Sequence, residues 1–301
     1  MKKFVALSLV LMMALALCAC GNKVEAQTWK FACSATDNTC WADMGRDFGK
    51  MISEATDGAI TVQVYAADQL TSGNQTEGIQ GVIDGTIDLS AHSNIIYANF
   101  DQRLNVVSMP FLFDSYEDVD AKLTGEAGAA VGKVVEEQGL KIRVAGCKVL
   151  NTAYDLWGTN WTNANWSEVY TGLQTGTYEG QENPFPTADG ASMSEVQTHV
   201  TNWTGVYDCI FFTMNKELFD SLSPELQKTV LECGAKAAEN QRKLQREGVN
   251  EVIEKWKDAG VTVTELSDEA VAEFKAATAS MYTDPEIVEL LTADLIAAFT
   301  K

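Results

Sequence analysis

The chain has 301 residues, 46% of them apolar and 21% charged, which is enough for two ordinary hydrophobic cores. Five Pro and seven Cys over that length exclude a collagen-like, low-complexity or disulfide-scaffold chain. With 42 acidic against 22 basic side chains the net charge is -20, which argues against any nucleic-acid partner and against an anionic membrane surface unless something anchors the chain.

Met1-Lys2-Lys3 is basic, and Phe4 to Leu17 is apolar apart from Ser8. At 1.5 Å per residue that run covers about 21 Å, short of a hydrocarbon core of about 30 Å, so residues 1–19 read as a secretory signal rather than a spanning helix. Leu17-Cys18-Ala19-Cys20 resembles a bacterial lipobox, with Cys20 as the acceptor because Ala19 supplies the small residue before it. An ordinary signal peptide ending in Cys by chance is the alternative. Two acyl chains on Cys20 would anchor the protein stably, with residues 20–27 as a tether. The expected location is therefore exported, on the outer face of the cytoplasmic membrane, with a periplasmic protein as the alternative. Of the later cysteines only Cys33 and Cys40 are near neighbours. A small disulfide and free thiols both fit them. Their spacing is no zinc pattern, and two His in the whole chain give a metal little to bind, so no metal and no cofactor is expected.

Strand and helix then alternate. Thr28–Ala32 is strand-like. Trp41–Ala55 carries apolar residues at helical spacing, and Asp57-Gly58 stops it. Ile60–Tyr65 alternates as a strand does. A helix over 76–83 and a strand over 87–90 follow. Such order implies parallel α/β units, whose ligands bind at the carboxyl ends of strands. Ser223-Pro224 is an N-cap with Pro at the first helical position, and helix-compatible sequence runs from there to Ala259. A helix that long, about 54 Å if straight, exceeds one small domain and is expected to span two. Gly234 and Gly248 are candidate bends. A strand over 262–266 and helices near 268–282 and 286–299 complete the chain.

The most specific stretch is Lys141-Ile142-Arg143-Val144, followed by Trp166–Gly176 (WSEVYTGLQTG) and Gly180-Gln181-Glu182-Asn183-Pro184. Together with Tyr65–Leu70, Gly85–Leu89, Met109–Phe113 and Asn215–Gln227, in that order, it resembles the solute-binding proteins of TRAP transporters, the DctP family. The resemblance implies a two-lobed α/β, periplasmic-binding-protein-like (Venus-flytrap) fold with mixed and parallel sheets and a long helix spanning both lobes. The expected division is 28–140 with 209–248 in one lobe and 141–208 with 249–301 in the other. It also implies a small organic-acid ligand, and partners in a TRAP membrane permease of small four-helix and large twelve-helix subunits. Position by position, Arg143 falls on the family's carboxylate-binding arginine, Asn183 on its ligand-contacting asparagine and Trp166 on a cleft aromatic. Ser34, His92 and Ser93 fall on variable ligand-contacting positions. A guanidinium fork suits both carboxylate oxygens, and an amide suits a neighbouring hydroxyl. The alternatives are an ion pair for Arg143, a loop cap for Asn183, a core role for Trp166 and a satisfied non-ligand histidine for His92.

The chain departs from the family just before Arg143. Family sequences carry two Gly-Leu-Lys-like stretches flanking an extra segment, whereas this chain has Gly139-Leu140-Lys141 alone. A smaller second lobe, a receptor that no longer binds and an altered sequence all remain open. Trp157, Trp161, Trp166 and Trp203 either stack on a ligand or fill the space such a loss would vacate. Another kind of uptake or sensing receptor is the functional alternative. No nucleophile elbow, P-loop or dinucleotide fingerprint points to an enzyme.

Overall fold

The computed structural model describes residues 24–136, 147–159 and 161–300. The signal segment, Cys20 and the stretch Lys141–Val144 with its Arg143 lie outside the described residues. The strands are β1 Gln27–Cys33, β2 Ile60–Tyr65, β3 Leu89–Ser93, β4 His199–Asn202, β5 Ile210–Met214 and β6 Thr262–Glu265. The α-helices are α1 Cys40–Ala55, α2 Gln75–Ile83, α3 Asn94–Tyr97, α4 Tyr116–Thr124, α5 Glu126–Glu136, α6 Lys148–Leu156 and α7 Trp166–Thr175. They continue with α8 Phe185–Gly190, α9 Lys216–Ser221, α10 Pro224–Asp258, α11 Asp268–Thr278, α12 Pro285–Leu291 and α13 Ala293–Thr300.

One sheet has the order β2-β1-β3-β5, parallel except for the antiparallel β3–β5 pair. Successive strand residues point to opposite faces, so each face builds its own core. On one face Trp29, Phe31, Phe48 of α1, and Phe212 pack with the front of α10. On the other, Phe211 meets Tyr97 in a helical core of residues 97–112, α5, α6, α12 and α13. The expected division placed 249–301 in the second lobe; Met281, Ile287, Leu291 and Phe299 instead pack with residues 97–112, across that division.

A second, smaller unit pairs β4 with β6 in parallel and packs α7, α8 and the rear of α10 around Trp256. The long helix joins the two units. It runs unbroken for 35 residues, about 52 Å at 1.5 Å per residue, and neither Gly234 nor Gly248 interrupts it. Ser223 caps it by accepting from the Leu226 N–H, and Pro224 opens it. Val230, Cys233 and Ala237 are buried in the first core, and Val252, Ile253 and Trp256 in the second.

Two expectations differ in detail. The strand read at 87–90 lies at 89–93, because Gly81 and Thr86 hold residues 85–87 in a turn. The helix read at 286–299 is two helices, split at Thr292, whose φ of 66° breaks the ladder.

Candidate functional site

The sheet carries Ser34 just past the end of β1 and His92 and Ser93 at the end of β3. These adjacent strand ends are where an α/β sheet offers polar groups to a ligand. Ser34 is 5% exposed, and its Oγ has no hydrogen-bond partner among the described residues. Ser93 caps α3, accepting from the Ile95 N–H, and donates to Asp208 Oδ1 at 2.5 Å. His92 is fully buried and its Nε2 pairs with Asp68 Oδ1 at 2.8 Å, while its Nδ1 is unpartnered among the described residues. The ring therefore lies beneath the strand ends, wedged against α2 at Gly78.

Asp208 belongs to the segment that carries the chain from β4 to β5. That segment is pinned at Cys209, whose carbonyl accepts from the Asn94 N–H and whose N–H donates to Asn94 Oδ1, while Asn94 Nδ2 donates to the Leu104 carbonyl and Ser108 Oγ. On the smaller unit, Glu182 precedes Asn183 on the approach to α8. The Asp208 charge and Tyr154 both act on the Glu182 carboxyl. Ser93 and Asp208 meet directly where the 203–209 segment passes the end of β3. Loss of hydration raises the Asp208 carboxyl to about 6. Neighbouring protein, then the Asp208 charge, pushes the Glu182 carboxyl upward, an effect that solvent weakens because its side chain is exposed.

Asn183 is half-buried and donates to Gln181 Oε1 at 2.8 Å; Gln181 in turn donates to Gln197. Trp166 opens α7, half-buried against the smaller unit's core. Asn165 caps that helix in a reciprocal box with Glu168. Next to Trp166, Ser167 Oγ donates to the Gly73 carbonyl of the larger unit at 3.4 Å. Around that contact lies an open polar pocket of about 310 Å³, lined by Thr71–Asn74 and Glu77 on one side and Asn165, Ser167 and Glu168 on the other. A second bridge joins Thr36 Oγ1 to the Gly190 carbonyl at 2.9 Å. Both bonds tie the smaller unit to the larger.

The tryptophans divide. Trp157 and Trp203 stand edge to face at 5.2 Å, both against Phe274, with Tyr154 and Phe111 alongside. The Trp157 Nε1 donates to the Phe274 carbonyl, so these two rings are held by protein. Trp161 is exposed and bonded to Asp155. Cys33 and Cys40 are both free thiols. Burial raises Cys33 to about 12 and Cys40 to about 11, far from thiolate reactivity at neutral pH.

A two-unit α/β body joined by one long helix, with unpartnered polar atoms at the sheet's strand ends, has the form of a receptor cleft. The sequence profile of the bacterial extracellular solute-binding proteins, family 7 (DctP), matches residues 31–141 and 133–287. The chain belongs to that family. It is similar to the 2,3-diketo-L-gulonate-binding periplasmic protein YiaO of Escherichia coli, 27% identical over 84% of this chain and 85% of the relative. It is also similar to the C4-dicarboxylate-binding periplasmic protein DctP of Rhodobacter capsulatus, 26% identical over 83% of each. The crystal structure of the sugar-acid-binding protein DctPAm of Advenella mimigardefordensis, in complex with galactonate, superposes with a TM-score of 0.84. It is 22% identical and covers 92% of this chain and 97% of that one. The fold is the one expected for a TRAP-type solute-binding protein.

Nothing in the local sequence of Asp208 marks it, and only the fold brings it to Ser93. Glu182 stood inside the recognised GQENP block, but nothing in that block marks the Asp208 charge that acts on it.

Proposed function

We propose that the protein captures a small organic acid between its two units and delivers it to the membrane subunits of a TRAP-type transporter. The observation that carries this reading is the family match across residues 31–287 on a two-unit fold. The binding of diketogulonate, C4-dicarboxylates and galactonate by its relatives sets the ligand class. Arg143 is proposed as the partner of the ligand carboxylate, with Asn183 and Trp166 as contacts from the smaller unit and Ser34 and Ser93 from the larger; His92, paired with Asp68, supports the strand ends from beneath. Cys20 is proposed as the lipid anchor. Delivery, not turnover, is the role assigned, since the relatives are binding proteins.

A second reading, a receptor with a reduced second lobe, rests on positions that relatives have and this chain lacks. Against YiaO, 84% of 301 residues is about 253, yet the alignment has 282 positions, so about 29 positions face no residue of this chain. The same reckoning against DctP leaves about 32. The two stretches of the family match overlap at 133–141, as though that run served both ends of an omitted segment.

The test is a thermal-shift screen of the mature protein with dicarboxylates, sugar acids, keto acids and aromatic acids, alongside Arg143→Ala. One acid class is expected to raise the melting temperature of the native protein and not of the variant. Equal shifts in both overturn the role of Arg143. No shift from any acid favours a receptor that has lost binding.

A further inference from the structure

The larger unit offers three separate pieces: Ser34 after β1, Ser93 at the end of β3, and the turn at Gly73 that meets Ser167 of the smaller unit. One buried residue is bonded to the supports of all three. Asp68, 2% exposed, follows β2 in a left-handed conformation with φ of 49°, after Ala67 at 51°. Side chains disfavour that conformation, Asp less than most, and it persists only where the surroundings hold it. The Ala67 and Asp68 N–H groups donate to the Ala35 and Cys33 carbonyls, on either side of Ser34. The Asp68 carbonyl accepts from the Thr71 and Gly73 N–H groups. Its Oδ1 pairs with Nε2 of His92, the residue before Ser93, at 2.8 Å. Cys33 and Ala91 are partners in register, so Ser34 and His92 take the next positions along adjacent strands. Helix α2 closes the pair off: a Cβ on Gly78 would lie 2.8 Å from Asp68 Oδ1 and 2.9 Å from His92 Nε2. Ser34 Oγ has no partner among the described residues, so the backbone that Asp68 holds decides where that hydroxyl stands.

We propose that Asp68 is the positioning residue of the larger unit's binding face: its bond to His92 locks the left-handed turn that fixes Ser34, Ser93 and Gly73 relative to one another. The proposal rests on the organic-acid reading above and deepens it, naming the residue that sets the geometry of the contacts made from this unit. Asp68 touches no ligand and acts through the backbone it holds. Binding groups serve only when held close to their productive geometry by neighbours that are themselves locked by packing and hydrogen bonds. Without the carboxylate the turn loses its anchor on β3, and the carbonyls on either side of Ser34 lose a fixed partner.

The experiment is calorimetric titration of the mature protein with succinate, D-galactonate and 2,3-diketo-L-gulonate, continued in variants with whichever binds most tightly. At a temperature where circular dichroism shows the variant fully folded, Asp68→Ala is expected to weaken that binding at least about fivefold. A merely structural role would lower the urea midpoint and leave the affinity unchanged. Asp68→Asn keeps an acceptor for His92 and tolerates the left-handed backbone, so its affinity is expected within about threefold of native. In a Ser34→Ala background, Asp68→Ala is expected to cost less than about half its factor in the native protein, because the hydroxyl it places is gone. A smaller loss in Asp68→Ala, a larger one in Asp68→Asn, or an undiminished one in the Ser34→Ala background overturns the inference and leaves the organic-acid reading standing. Should Asp68→Ala fail to fold, Gly78→Ala, which crowds the pair and keeps both its members, is held to the same loss and the same comparison. No binding by any of the three acids also overturns the inference, and the broader screen then decides the receptor reading separately.

Discussion

Gly190→Ala isolates one of the two bridges between the units. A Cβ built there lies 2.6 Å from Thr39 Cγ2 and 3.2 Å from Thr36 Oγ1. The nearer contact is about 0.8 Å inside the 3.4 Å at which ordinary van der Waals contact begins. Thr39 cannot rotate away at no cost, because it is buried and its Oγ1 donates to the Thr36 carbonyl at 2.7 Å. The added methyl must therefore push α8 from the loop before α1, breaking the 2.9 Å bond from Thr36 to the Gly190 carbonyl. Overpacking costs about 1–3 kcal/mol, and a lost neutral hydrogen bond about 0.5–1.5 kcal/mol. If the bridge forms when the cleft closes, that strain falls on the closed state and appears as weaker binding, tenfold for each 1.4 kcal/mol. Calorimetry with the acid that binds most tightly should show at least a tenfold loss, with the urea midpoint near that of the native protein. Affinity within twofold of native would refute this account of the bridge.

Three further outcomes follow from the packing. Arg246 places both Nη atoms on Asp120 at 2.8 Å and its guanidinium 4.4 Å above the Tyr116 ring, tying α10 to α4. Arg246→Met should cost about 1–3 kcal/mol in urea unfolding, and Arg246→Lys should recover only part, because an ammonium lacks the fork. Ser223→Ala removes the cap of α10 and should cost about 1 kcal/mol by the same assay. The raised Asp208 carboxyl binds its proton more tightly folded than unfolded, so its contribution is fully present below about pH 4 and declines as pH rises to about 6, then stays flat. Urea midpoints across pH 4.5–8 should show that decline, and Asp208→Asn should flatten it.

Elements with strong local signals were legible before folding. The helices α1 and α10 announce themselves by spacing, cap and stop, and β2 by alternation. Thr292 was not legible, since a single left-handed residue inside an apolar helical run leaves no pattern. The destination of the C-terminal helices was also hidden: their apolar stripes say that they pack, not on which core. At the site, Ser34, His92 and Ser93 came from the family resemblance as ligand-contacting positions, but their fates differ. Ser93 faces Asp208 across the junction, while His92 turns inward to Asp68, a pairing set by α2 and invisible in the order of residues. Density of tryptophan left both ligand stacking and space-filling open; the geometry packs Trp157 and Trp203 against Phe274.

The account's central claim is that this cleft holds an organic acid. The most direct measurement is the melting temperature of the mature protein with each acid at saturating concentration. An acid at about 100 times its Kd stabilises the native state by about 2.7 kcal/mol, a rise of about 5 °C or more for a protein of this size. One class of acid is expected to produce it. A melting temperature unmoved by every dicarboxylate, sugar acid, keto acid and aromatic acid would contradict the claim.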